Sequence, residues 1–484
     1  MAKVKIQGHA SGTGVITLTA PNTDTDRTIT LPDESITLSA GATSLDGLSD
    51  ATVYNTTTIG LGSGALDSMS SGNGRNTAVG YNALTANTSG YNNTAVGHLA
   101  GTAITDGYQN TLLGDRTGTA LTTGDNNTAL GQHALKTATT SNNNTAVGFD
   151  CMALTTTGAD NVAVGAYALD ANTTGSYSTA VGVNALTANT TGENLGIGHS
   201  ALAANTTGTD NTAVGRYGAL MANTTGNDNI AFGTKALFSN TTASKNTAVG
   251  RSALQVNTTG IDNTAVGYKA LQANTTASEN TAMGREALFT NTTGADNVAV
   301  GSAALYSGST AHSNTAVGRS AMINTTTSNT NVAVGVRALQ ANTTGNVNTC
   351  VGGDAGNGIT TGNHNICIGY LAGAYATTLI TGINNILIGA YAKTGSTSTN
   401  NANGIGYDIA ADQGYTTLGY GSSDIRANHG TATWSTVSDE RYKKDIVDST
   451  AGLGFVNALR PRTFKYKNLG ELPNTFNSYK EGST

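Results

Sequence analysis

A glycine closes a short Asn-Thr-Ala-Val-Gly phrase every 17 residues along most of this chain, and no other feature constrains the fold as tightly. The mark falls at Gly80, Gly97, Gly114 and Gly131, and runs on to Gly369, Gly389 and Gly406. Intervals between marks are 17 residues except for one of 16, one of 18 and one of 20, and a degenerate copy at Gly62 opens the series. Residues Asn246 to Asp262 spell out one full repeat, N-T-A-V-G-R-S-A-L-Q-V-N-T-T-G-I-D. The residue two before the glycine is almost always Ala (Ala78, Ala146, Ala265, Ala333), and the next is bulky (Val79, Ile197, Phe232, Met283). Three and four residues after the glycine comes a second pair, usually Ala-Leu, as in Ala83-Leu84 and Ala270-Leu271. Two spacer residues and Asn-Thr-Thr-Gly complete the unit.

Apolar pairs of this length are too short for helices, while Asn, Thr and Gly favour turns or strands. One repeat therefore reads as two short strands and two turns, a closed path of roughly 56 Å of extended chain, enough for one coil of a narrow β-solenoid. Strand alternation places the Ala and Gly positions on one face and the Val position on the other. A narrow coil admits only small side chains, so the Ala set is expected inside. Cys151, Cys350 and Cys367 all stand at Ala positions and are expected as buried thiols rather than disulfides. The Val and Leu positions are then expected to need cover from outside the coil.

The energetics favour assembly. Burying one Val and one Leu gains roughly 1.5–3 kcal/mol each, whereas ordering each residue of a coil costs about 1–2 kcal/mol. A lone coil cannot fold, so stacking and a partner chain are expected: a homotrimer, with a dimer as the alternative, joined through a Val/Leu ridge. About 20 coils at roughly 4.8 Å each predict a rod about 100 Å long.

Only 11 % of the 484 residues are charged, 62 are Gly and 4 are Pro, which with a strict period suits a fibre better than an enzyme. A net charge of −6 makes no case for nucleic acid or membrane as partner. No apolar run reaches the length of a membrane span, and Met1 to Gly14 lacks an apolar signal core. The His and Cys residues lack metal-ligand spacing and the repeats lack the Gly-Gly-x-Gly-x-Asp calcium pattern, so no metal and no cofactor is expected.

Along the chain, residues 1–50 read as short strands with turns at Pro21-Asn22 and Pro32-Asp33, a β module and linker serving either as attachment end or as cap over the first coil. Residues 51–421 are the repeat shaft, 422–437 a neck containing Trp434, and 438–484 a different C-terminal segment. The 18-residue interval from Gly215 to Gly233 carries its extra residue before Ala219-Leu220, which predicts a bulge in a loop.

The two residues after the marking glycine vary and are expected to face solvent. Between Gly215 and Gly335 they include Arg216, Lys235, Arg251, Lys269, Arg285, Arg319 and Arg337, a candidate basic stripe. Either it holds an acidic surface glycan, or it is a solvated face partly neutralised by Asp210, Asp228, Asp262, Glu279 and Asp296. Tyr81, Tyr167, Tyr217, Tyr268 and Tyr370 occupy the same slots and could stack on sugar rings. The Asn-Thr-Thr triplets match the N-glycosylation sequon but read better as Asn and Thr ladders at a turn. A Thr array also raises ice binding, against which stands its place at a turn beside Gly.

The N-T-A-V-G-x-x-A-L copies resemble the YadA-like head repeats of trimeric autotransporter adhesins, which implies a trimeric left-handed β-roll, and resemble more closely the repeats of phage tail-fibre-like proteins. At the other end, Ser438-Asp439-Glu440-Arg441-Tyr442-Lys443-Lys444-Asp445-Ile446, with Leu459-Arg460-Pro461 and Phe464-Lys465-Tyr466, is similar to the opening of the intramolecular chaperone of endosialidase family, peptidase S74. That family caps phage tail fibres and tailspikes, assists their trimerisation and then releases itself. The resemblance implies cleavage between Val437 and Ser438, with Ser438 as nucleophile and Lys443 as its base. The family's domain is longer than the segment here, so a truncated α/β chaperone is expected, cleaving only when complete, with no enzymatic activity in the shaft.

The expected protein is thus all-β, a 17-residue-per-coil β-roll or β-solenoid, homotrimeric, and a phage tail fibre located in the virion. Its expected partners are further copies of itself, tail or baseplate proteins through the N-terminus, and a host-surface glycan or protein, without nucleic acid or membrane insertion. The alternatives are a bacterial surface adhesin, extracellular or at the cell surface, a glycan-degrading tailspike, and an ice-binding solenoid.

Overall fold

The computed structural model describes residues 51–55, 57–70, 74–431 and 433–436. The N-terminal module expected over residues 1–50 lies outside them. Each repeat forms one coil around an interior of Ala and larger apolar side chains, chiefly Leu, together with buried Asn, so the coil is wider than the small-residue interior expected. Among the described residues the sequence forms strands and turns and no helix, and the main sheet has 25 strands.

Strands recur once per coil at the Thr-Ala-Val phrase, for example Thr247–Val249, Thr264–Val266 and Thr281–Met283. Neighbours pair parallel and in phase, so that Ala248 lies beside Ala265 and Ala265 beside Ala282. The parallel row runs from Thr58–Leu61 to Tyr415–Tyr420 without an inserted domain. Both ends of the row turn back antiparallel: Ala51–Asn55 pairs with Thr58–Leu61, and Tyr415–Tyr420 with Ser423–Asn428. The extra residue of the long interval is Gly218, at φ 71°, in the turn after Asn211–Val214.

Two expectations need correcting. A repeat holds one strand, not two, because the Ala-Leu pair lies in a turn. Leu254, Leu271 and Leu288 adopt φ near 50°, in the left-handed region. That conformation breaks strand alternation and sends the leucine inward. Leu84, Leu254 and Leu271 are fully buried beside the Ala columns, so only the Val position, not Leu, remains on the outside.

The marking glycine is required by the tight stacking of coils. A Cβ on Gly267 (φ 138°) would stand 2.5 Å from the carbonyl oxygen of Gly284 in the next coil.

The interior adjusts its volume locally. Where Leu112 replaces the strand Ala, Gly118 replaces the turn Leu, and a Cβ there would meet both Leu112 methyls at 3.1 Å. Cys350 is matched by Gly356 and Cys367 by Gly373 in the same way. All three cysteines are free and buried, as their Ala positions require, and Cys350 lies in register with Cys367.

Polar interior positions form ladders. Asn246, Asn263, Asn280 and Asn297, each preceding a strand, are buried and linked amide to amide. A second buried row runs through Asn240, Asn257, Asn274 and Asn291. Asn257 is the Asn of an Asn-Thr-Thr triplet, and its burial removes it as a glycan acceptor. The first Thr of these triplets bonds to the next coil's carbonyl, as Thr258 Oγ1 does to Thr275 O at 2.9 Å and Thr275 Oγ1 to Thr292 O at 3.1 Å. The turn thus holds both expected ladders, with its first row of threonine hydroxyls committed to backbone.

Candidate functional site

Three columns stand on the outside of the coil, each built by one repeat position. The strand's outward residues form the first. Phe232, Met283, Ile197 and Leu130 alternate with buried Ala or Gly neighbours and are 37–55 % exposed, so a continuous apolar column runs along the parallel sheet.

An acidic column precedes the strand. Asp210, Asp228, Asp262, Glu279 and Asp296 are exposed and sit at φ 57–61°, in the turn leading into each strand.

The third column follows the strand, on the two residues after the marking glycine. The structure divides the candidate basic stripe into two lines there. Arg216, Arg251, Arg285 and Arg319 directly follow the glycine and are exposed, whereas Lys235, Lys269 and Arg337 stand one residue later, at φ 57–59°. None of the ion pairs among the described residues joins the acidic column to these cations. The strand and turn residues between them, five before the arginine line and six before the other, separate acids from cations across each coil.

Local partners hold several of the cations. Arg337 pairs with the nearly buried Asp354 at 2.8 Å, and that hydrogen bond and charge push its pKa further up. Arg285 pairs with Glu286 at 2.9 Å. Arg216 lies over the Tyr217 ring at 4.7 Å and donates to its hydroxyl at 3.1 Å. Lys269 lies 5.3 Å from the Tyr268 ring centre and 5.5 Å from that of Phe289. Lys235 lies 5.7 Å from the Phe238 ring.

Of the candidate tyrosines, Tyr81, Tyr167, Tyr217, Tyr268 and Tyr370 are all exposed. Tyr81 stacks on His98 and Tyr167 meets Phe149 edge to face. A denser aromatic group stands where the repeats degrade: Tyr391 lies 4.7 Å from Tyr375, 5.6 Å from Tyr370 and 5.5 Å from Tyr407, and Tyr407 stacks on Tyr420 at 5.1 Å. Sequence reasoning missed this group because Tyr391 stands two residues after its glycine whereas Tyr370 and Tyr407 stand one residue after theirs; a tyrosine within two residues of Gly369, Gly389 and Gly406 was the available signal.

Elsewhere, His98 Nδ1 lies 2.7 Å from Asp115, and the hydrogen bond from His98 holds that carboxyl below its usual range. Burial pushes the Cys151 thiol up to about 12. Cys350 is raised too, first by its hydrogen bond with Cys367 and then by burial. Among the described residues no three His, Cys, Asp or Glu side chains are grouped to hold a metal ion, and no helix is long and apolar enough to cross a membrane.

Val437, Ser438 and Lys443, the residues expected at the cleavage site, lie outside the described residues. Comparison of the chain with curated proteins and with solved structures gives no match. Against protein families, the segment that follows the last coils does match: residues 438–478 fit the family model of peptidase S74, the chaperone of endosialidase.

Proposed function

We propose that the chain is a phage tail fibre: a homotrimeric β-solenoid shaft, joined to tail or baseplate proteins through its N-terminal module, that engages a glycan or protein on the host surface. Its C-terminal segment assists assembly and, as part of a complete chaperone domain, is released by cleavage between Val437 and Ser438, with Ser438 as nucleophile and Lys443 as base. The observation carrying this reading is the order of parts, an uninterrupted parallel coil stack followed directly by a chaperone-of-endosialidase segment.

The outward apolar column supports the trimer. Parallel sheets are almost always covered on both faces, and one face of this sheet presents half-exposed Val, Ile, Met and Phe in coil after coil. Covering the exposed part of one such side chain gains about 1 kcal/mol. Repetition over the whole stack makes association through this column favourable, with copies parallel and in register. The residues after the marking glycine remain available for a surface ligand.

Mass spectrometry and light scattering on the full-length product test the reading together. The expected result is a trimer of chains ending at Val437, and an uncut chain for Ser438→Ala. A monomeric product of intact mass, unaltered by Ser438→Ala, would refute it.

A further inference from the structure

The position directly after the marking glycine alternates over seven successive coils. Arg216, Arg251, Arg285 and Arg319 hold it in every second coil. Thr234, Tyr268 and Ser302, each with a hydroxyl, hold it in the coils between. Backbone bonds keep the column in register: Lys269 N–H donates to Arg251 O at 3.0 Å, Glu286 N–H to Tyr268 O at 2.9 Å, and Ala303 N–H to Arg285 O at 2.8 Å. With parallel strands about 4.8 Å apart, an arginine recurs about every 10 Å.

We propose that this column binds an extended acidic polysaccharide whose anionic group falls on every second sugar. Two pyranose units of an extended chain advance by about the same length as two coils, so carboxylates would meet successive guanidiniums. The sugars between them would meet the Thr234 and Ser302 hydroxyls and the exposed Tyr268. Arginine suits the role because its planar fork binds a carboxylate through two parallel bonds, where lysine offers a point charge. The lysines of these coils are displaced to the neighbouring line, where Lys269 packs on aromatic rings.

One exposed guanidinium binds weakly. Several held at fixed spacing by a rigid backbone raise the effective concentration of each further contact. Arg251 and Arg319 carry most of the recognition, since Arg285 must first leave Glu286 and Arg216 is engaged with Tyr217. The inference rests on the proposed engagement of a surface glycan and adds its charge spacing.

The test is binding of the full-length protein to hyaluronan, with a uronic acid on every second sugar, to polygalacturonate, with one on every sugar, and to dextran, which is neutral. Hyaluronan is expected to bind tighter than polygalacturonate despite its lower charge density, and dextran not to bind. Replacing Arg251→Gln and Arg319→Gln together should weaken hyaluronan binding by about tenfold or more with the assembly state unchanged. Thr234→Arg with Ser302→Arg should shift preference toward polygalacturonate. Equal or tighter binding of polygalacturonate by the unaltered protein, or binding of none of the polymers, would overturn the inference. So would a changed assembly state in the Gln variant, which would assign these arginines to contacts between copies. Adhesion to host cells that survives the double Gln substitution would overturn this inference and leave the attachment reading standing.

Discussion

The side-chain oxygen of Asn246 accepts two hydrogen bonds from Asn263 in the next coil, from its backbone N–H at 3.1 Å and from its side-chain amide at 3.2 Å. Asn263 also donates to Ala277 O at 2.8 Å, and its own oxygen accepts from Asn280. Each amide thus satisfies one coil while being satisfied by another.

Removing one rung should therefore expose the dependence of its neighbours. Asn263→Ala takes one of two amide donors from the Ala277 carbonyl, which keeps that of Asn274, and leaves the Asn280 backbone N–H without its buried acceptor. The expected cost is about 2–4 kcal/mol, read from the urea midpoint. An unchanged midpoint would mean that water takes over the bonds.

Asn87 presents the opposite case. It occupies the turn position that Met69 holds in the preceding coil and Ile104 in the next, and neither side-chain polar atom of this fully buried residue has a partner. Asn87→Leu should stabilise the shaft by about 1–3 kcal/mol, since it removes a buried unpaired amide from apolar surroundings. A destabilised variant would show that the amide has a partner after all.

The exchange of Leu112 with Gly118 predicts non-additivity. Gly118→Leu alone should cost about 1–3 kcal/mol through crowding against the Leu112 methyls, and Leu112→Ala alone about 2–5 kcal/mol through the space it vacates. Together they restore the Ala–Leu arrangement of ordinary coils, and the backbone at Gly118 (φ 59°) is close to that of Leu135 (φ 51°) in the next coil. The pair should therefore cost less than the sum of the two, by about 2 kcal/mol. Simple additivity in denaturant melts would contradict the exchange.

Buried thiols make stability depend on alkaline pH. The Cys151 thiol is raised from its ordinary value to about 12. A raised pKa here means that the folded state disfavours the thiolate. The stabilising contribution is accordingly complete below the unfolded thiol's pKa, about 8.5, and is lost as pH rises from there toward 12. Midpoints measured from pH 8 upward should fall, and Cys151→Ala should flatten part of that fall. Thiol reagents at pH 8 should label the native chain only after denaturation.

How far the sequence could be read depended on whether a rule held at each position. Ala265 and Cys350 inside the coil followed from size and period alone, and so did the register of successive strands. Leu271 did not, because strand alternation was extended through a turn where φ is 50°, and one left-handed residue reverses a side chain's direction. The cations were legible as a group, but their division into two lines was not, since Arg251 and Lys269 stand one position apart and that single step changes the direction each side chain takes.

Repetition lets the linear order of residues determine much about this protein: a coil of 17 residues, Ala within, Val without, and Asn and Thr at a common turn. Each such property is averaged over many copies, so the pattern survives local exceptions. Tertiary structure alone decided that the leucines turn inward and that acids and bases stand on opposite sides of the strand. It also decided that Asn87 is left unpaired while Asn263 is fully bonded. Those outcomes depend on left-handed turns and on which residue stands one coil away, relations that become visible only when the chain is wound.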